Sequence, residues 1–473
     1  MLLTVRRVRP AGRRLLFVAL LTMAVVVVGC TGSSEPTPTV AIPPTSTPVP
    51  PVDTIAVPDS SPVATPVNGG DISPELAALL LEIDRSVATI RGIPVADPVP
   101  FMFLNEAELG EWVREEFDDP ELIEEIGNSG ELYKLLGLIA PDQDLLDKYF
   151  ALLDAQVLGA YDPEDEEFVV LQKGDTFGPS QEFTYAHEYV HRLQDAKFSL
   201  DELTERYSES SDQALAFSAL VEGDATSTQQ TYGLRNLSIG ELTQILTESQ
   251  GALDTANEAP FILRRGLEFP YVEGLAFVSK ITANDGIAGV NNAFAQPPDS
   301  TEQVLHFEKY VEREMPHDVS LGDAVFTAGG AAEPGWELVD DDVLGEFFLK
   351  AWLQGLGAAE SDASLAAAGW GGDAINLIKS DDGDFGFVAK VTWDDGENDA
   401  LEFNLVLNAL LENADQFAEL ELNGPPEISA YESGAGVIAT SYATDSDGNR
   451  FTAIAAAPTL GEAMALLLNI VSS

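Results

Sequence analysis

The chain carries 79 Asp and Glu against 24 Lys and Arg over 473 residues, a formal charge of −55. So acidic a surface repels phosphate backbones and excludes nucleic acid as a natural partner. A lone cysteine, Cys30, excludes an intramolecular disulfide and any zinc site with more than one thiolate.

The N-terminus reads as an export address. Arg6, Arg7, Arg9, Arg13 and Arg14 form a basic stretch ahead of the apolar run Leu15 to Val28, the order of a secretory signal. Val27-Val28-Gly29-Cys30 resembles a bacterial lipobox, which implies cleavage before Cys30 and lipidation of its thiol. Residues 1–29 are therefore expected to be a lipoprotein signal peptide. Residues 30–70, rich in Pro, Thr, Ser and Val, cannot bury enough surface to offset their conformational entropy and are expected to form a disordered linker. The body is placed outside the cytoplasm, tethered to the membrane through lipid.

Ser73-Pro74-Glu75 signals a helix start, with Leu76, Leu79, Leu80 and Ile83 at helical spacing behind it. A strand is expected over Val99 to Leu104, a helix over Glu106 to Phe117, and helix broken at Pro141 over Leu132 to Leu153. Gln156 to Tyr161 and Phe168 to Leu171, joined by Asp162-Pro163-Glu164-Asp165, read as a hairpin.

Directly after that hairpin comes Gln181 to His191, containing His187-Glu188-x-x-His191. Side chains four apart share a helix face, so His187 and His191 can grip one ion. Glu188 is turned about 100° from His187, where it reaches a water on the ion without being a ligand. Phe183, Ala186, Val190 and Leu193 would bury the helix.

Catalytic zinc usually takes a third protein ligand. Within the expected helix Ser211 to Gln230, Glu222 stands among Ser218, Ala219, Gly223, Ala225 and Thr226. Small neighbours would admit the histidine helix closely, and a carboxylate on such a face needs a partner. Glu222 is the chosen ligand, with Asp224, Glu209 and Asp212 as rivals.

His187-Glu188-x-x-His191 followed by a helical Glu222 resembles the gluzincin branch of the zincin metallopeptidases. The run His191-Arg192-Leu193-Gln194-Asp195 also looks like a group of largely uncharacterised bacterial exported lipoproteins. The resemblance spans about residues 130–315 and implies one zinc ion per chain, a peptide or protein substrate and endopeptidase activity. It also implies that the strand beside the metal pairs with an extended substrate. Gluzincins often carry an acid four residues beyond the glutamate ligand; here Thr226 stands there. Asp195 or Asp224 is expected to orient a histidine in its place.

Phe261 to Val278 reads as buried helix, and Ser300 with Gln303 forms a capping box opening a helix that carries His306 and Tyr310. Zinc hydrolysis needs a further donor for the developing oxyanion. His306 is the first candidate, then Tyr310, with Tyr232 and Tyr271 in reserve; His317 reads as surface. From 365 to 473 the texture changes to a ββαββα module without evident catalytic residues: strands near 374–379 and 385–393, helix 398–413, strands near 434–443 and 450–457, and a closing helix from Leu460.

The expected fold class is α+β: a mainly helical zincin-like domain with a small hairpin sheet over 71–364, then the C-terminal module. The expected activity is zinc-dependent peptide hydrolysis with Glu188 as base. The alternative is a non-catalytic surface lipoprotein that keeps the fold for binding or scaffolding.

Overall fold

A computed structural model describes residues 73–116, 119–156, 159–162, 166–171, 177–250, 257–321, 326–327, 330–331, 335–395, 398–422, 427–445 and 448–472. The signal peptide, Cys30 and the linker expected up to residue 70 lie outside them. Among the described residues no helix is long and apolar enough to cross a membrane.

Helix α1 (Pro74–Arg91) begins at its expected cap, where Ser73 Oγ accepts the Leu76 N–H at 3.1 Å. It ends at Gly92, whose φ of 70° lies in the left-handed region that glycine adopts freely. Ile83 and Val87 pack it against Tyr185 and Tyr189. Strand β1 (Phe101–Leu104) is followed by α2 (Glu106–Glu116), α3 (Pro120–Leu135) and α4 (Leu145–Gln156). The expected break at Pro141 is wider than one residue, because α3 already ends ahead of Gly137, whose φ of 73° turns the chain out of the helix, and α4 begins only at Leu145. Helix α4 continues through Gln156, which the sequence placed in the strand; residues 157–158 lie outside the described residues, and strand β2 spans Gly159–Asp162. With β3 (Glu167–Leu171) it makes a three-stranded sheet, order β1-β3-β2, in which β1 runs parallel to β3 and β2 forms an edge.

Next come α5 (Pro179–Phe198), α6 (Leu200–Arg206), α7 (Ser211–Asn236), α8 (Ile239–Glu248) and α9 (Phe261–Ala295). The small residues of α7 serve two neighbours: Ala225 packs among Ala186, Tyr189 and Val190 of α5, as the sequence suggested, while Ala219 and Gly223 face a second helix. That helix is α9: a Cβ added to Gly223 would lie 2.2 Å from the Gly274 carbonyl oxygen, and one on Gly274 2.3 Å from that of Ala219. The two backbones touch, which only glycine permits. Gly223→Ala is therefore expected to destabilise the protein by roughly 1–3 kcal/mol through overpacking. An unchanged denaturant midpoint would mean that the helices do not meet there.

The short helices α10 (Thr301–Leu305) and α11 (Phe307–Glu312) lead through the ribbon β4 (Phe326–Thr327) and β5 (Gly330–Ala331) to strand β6 (Trp336–Asp342). Then follow α12 (Gly345–Gly355), α13 (Glu360–Ala367), β7 (Trp370–Ser380), β8 (Phe385–Trp393), α14 (Asn398–Asn413), β9 (Ala418–Glu419), β10 (Ile428–Ser433), β11 (Gly436–Thr444), β12 (Arg450–Ala457) and α15 (Leu460–Ser472). The strands from β6 onward form one seven-stranded antiparallel sheet, order β6-β7-β8-β12-β11-β10-β9. The expected ββαββα order is embedded in it, but β6, β9 and β10 are additional. The sheet thus begins upstream of residue 365.

One face of the sheet holds Ala463, Leu466, Leu467 and Ile470 of α15 against Ile378, Val388 and Ala453. The other shares a core with the helices: Phe387 and Ile454 join Trp352, Phe403, Leu220 and Phe269. Trp352 Nε1 also donates to the Leu136 carbonyl at 3.0 Å. The molecule is α+β, with the sheet and the helical half fused through that core.

Candidate metal centre

Pro179 fills the first turn of α5, and Gln181 Oε1 accepts the Gly178 N–H at 3.1 Å to cap it. Every residue from Phe183 to Gln194 is buried, so this helix runs through the interior rather than along the surface. His187 and His191 meet edge to face on one side of the helix, with ring centroids 4.9 Å apart. Helix α7 brings Glu222 to them: its Oε2 is 3.1 Å from His187 Nε2 and 3.4 Å from His191 Nε2. Donor atoms arranged tetrahedrally about zinc at about 2.0–2.1 Å stand about 3.3 Å from one another. The cluster therefore has the spacing of a metal site, and two imidazoles with a carboxylate suit zinc chemically. His191 Nε2 is buried and makes no hydrogen bond among the described residues, as a nitrogen reserved for an ion does.

The electrostatics agree. Burial alone raises the Glu222 carboxyl, but the charged ring of His191 and the hydrogen bond to His187 outweigh it and hold it at about 2. Burial alone lowers His191, yet Glu222 and Glu188 beside it lift the ring to about 9. Both shifts describe one ion pair viewed from its two ends. A cation entering the cluster displaces that proton.

Glu188 is fully buried one position beyond His187. An added Cβ on Gly159 would lie 3.7 Å from Glu188 Cγ, so the edge strand β2 begins beside this carboxylate. Of the rival ligands, Glu209 is exposed, and Asp212 accepts the Thr301 N–H at 3.0 Å. Asp224 accepts from Arg91 Nε at 2.7 Å and from Gln194 Nε2 at 2.9 Å.

The residues expected to orient the histidines are displaced by others. Asp195 accepts from the Tyr161 hydroxyl at 2.9 Å, and Asp224 reaches His191 only through Gln194. The partners are glutamines: Gln194 Oε1 lies 2.9 Å from His191 Nδ1, and Gln229 Oε1 3.3 Å from His187 Nδ1.

His306 and Tyr310 are corrections. His306 sits at a break between α10 and α11, with φ −110° and ψ 87°, and its Nε2 is 2.8 Å from Glu346 Oε1. Glu346 is a buried carboxylate that needs a partner, and His306 supplies it. The Tyr310 hydroxyl donates to the Gln296 carbonyl at 3.0 Å, with its ring against Phe277. Tyr232 donates to Glu182 at 2.6 Å. Tyr271 is the reserve candidate brought to the cluster, its ring centroid 6.2 Å from that of His187. His317 is exposed as expected, with Nδ1 3.2 Å from Thr392 Oγ1. A second acidic group, Glu302, Glu314 and Asp394, surrounds the Lys309 ammonium, which ion-pairs with all three.

One family model, described as a domain of unknown function (DUF8575), matches residues 336–467. That stretch is the sheet-bearing part of the chain and leaves the histidine cluster outside it. No characterised protein and no solved structure matches the chain.

Proposed function

We propose that this protein is a lipid-anchored, extracytoplasmic zinc metallopeptidase of gluzincin type. The observation that carries the reading is the convergence of His187, His191 and Glu222 at ion-sized spacing, with Glu188 buried on the same helix. His187, His191 and Glu222 would hold one zinc ion. Zinc supplies a Lewis acid that acidifies water and polarises a carbonyl. Glu188 takes the proton from the attacking water and delivers it to the leaving nitrogen as the C–N bond breaks. The backbone of β2, beginning at Gly159 beside Glu188, orients an extended peptide as an added strand. With His306 and Tyr310 engaged elsewhere, Tyr271, whose ring lies 6.2 Å from that of His187, is the reserve candidate retained as donor to the carbonyl oxygen.

One observation favours a second reading, a non-catalytic metal-binding scaffold. His187, Glu188, His191 and Glu222 are 2%, 0%, 4% and 2% exposed, so a polypeptide reaches Glu188 only after the surrounding helices or strand move. The two readings part in one assay. Cleavage of an unfolded protein should stop on zinc removal by a chelator and return on zinc addition. Full zinc occupancy with no cleavage of any peptide would support the scaffold.

A further inference from the structure

Neither glutamine behind the histidines belongs to the His-Glu-x-x-His pattern, yet each meets the ring nitrogen turned away from Glu222. A glutamine side chain presents an acceptor and a donor that can exchange places by rotation. Here the surroundings forbid the exchange. Gln194 Nε2 donates to the Val221 carbonyl at 3.0 Å and to Asp224 Oδ2 at 2.9 Å. A carbonyl accepts only, and Asp224 Oδ2 already accepts from Arg91 Nε at 2.7 Å, with both side chains buried. Rotating Gln194 would set its oxygen against both acceptors. Gln229 is fixed likewise, since its Nε2 donates to the Phe183 carbonyl at 3.0 Å. Each glutamine must therefore show its oxygen to a histidine Nδ1, and that nitrogen must carry the proton.

We propose that Gln194 and Gln229 are positioning residues that keep a proton on Nδ1 of both histidines, so that Nε2, once its own proton is displaced, offers its lone pair to an ion shared with Glu222. This inference rests on the zinc reading of the cluster. A carboxylate in either place would orient the ring equally well, but it would add negative charge to a centre that already holds Glu222 and Glu188. Neutral amides fix the tautomer and leave the charge of the centre to those two residues. Asp224 and Arg91 act one step further out: they hold the Gln194 amide in one sense, and so connect α1 to the centre.

The test uses the full chain and zinc itself. Gln194→Met and Gln229→Met keep side-chain length and remove the acceptor, and each is expected to weaken zinc binding by about 10–100-fold in chelator competition. Gln229→Glu, which keeps an acceptor against Nδ1, should lose less affinity than Gln229→Met, the reverse of what packing alone gives, since Met fills the same space without setting a second oxygen against the Phe183 carbonyl. Histidine nitrogen spectra of the zinc-loaded wild type should show protonated Nδ1 on both rings. In Gln194→Met the His191 Nδ1–H should exchange faster with water while His187 is unchanged. Should the Met variants misfold by circular dichroism, the wild-type spectra still decide the matter. Wild-type zinc uptake with equal affinity in both Met variants, or protons on Nε2, overturns this inference alone. A wild type that takes up no zinc overturns the zinc reading and this inference with it.

Discussion

Glu188→Gln should leave zinc bound and the fold intact while lowering kcat/KM by about 10²–10⁴-fold, the usual contribution of a positioned general base. The substitution keeps the shape of the side chain and removes only its capacity to accept a proton. Because Glu188 is fully buried, a neutral amide there costs less to desolvate than a carboxylate. The variant should therefore be at least as stable as the wild type, and its loss of activity cannot be assigned to unfolding. Turnover close to wild type in the zinc-replete variant would remove Glu188 from the chemistry.

Arg91→Met should destabilise the protein by about 3–5 kcal/mol, since it leaves a buried carboxylate without its cation. Arg91 Nε and Asp224 Oδ2 are 2.7 Å apart, their side chains 2% and 4% exposed, and Arg91 Nη1 also donates to Asn291 at 2.9 Å. Replacing both charges, as Arg91→Met with Asp224→Leu, should recover much of that loss, because the cost lies in the orphaned charge more than in the missing attraction. Denaturant midpoints of the single and double variants measure both effects. A single variant with the wild-type midpoint would show that Asp224 is stabilised by something other than Arg91.

The two variants probe parts of the molecule that were unequally legible in the sequence. His187, Glu188 and His191 could be read from spacing alone, because one helix fixes their relation whatever surrounds it. Glu222 is legible from its small neighbours, of which Ala225 meets α5; that Ala219 and Gly223 also admit α9 at Gly274 left no trace in the sequence. Gln194 is three residues from His191 and Gln229 seven from Glu222, both on the relevant helix faces, so a search for polar residues at those offsets would have found them. Arg91 left no such trace. An arginine in the last turn of an amphipathic helix ordinarily complements the helix dipole, and its partner lies 133 residues away.

His306 marks the limit of local reading. The cap at Ser300 was legible, and Ser300 Oγ does accept the Gln303 N–H at 3.3 Å. The helix nevertheless breaks at His306, which pairs with Glu346 forty residues on. In the sheet, β6 (Trp336–Asp342) contains Asp340, Asp341 and Asp342, a residue type depleted in strands. It becomes a strand because β7 offers it a pairing edge.

The central claim is that His187, His191 and Glu222 hold zinc. Metal analysis of the purified protein, dialysed against a weak chelator beside Glu222→Ala, tests it most directly. About one zinc per chain in the wild type and little in the variant is the expected result. A wild type without zinc, or a variant that keeps it in full, would contradict the assignment.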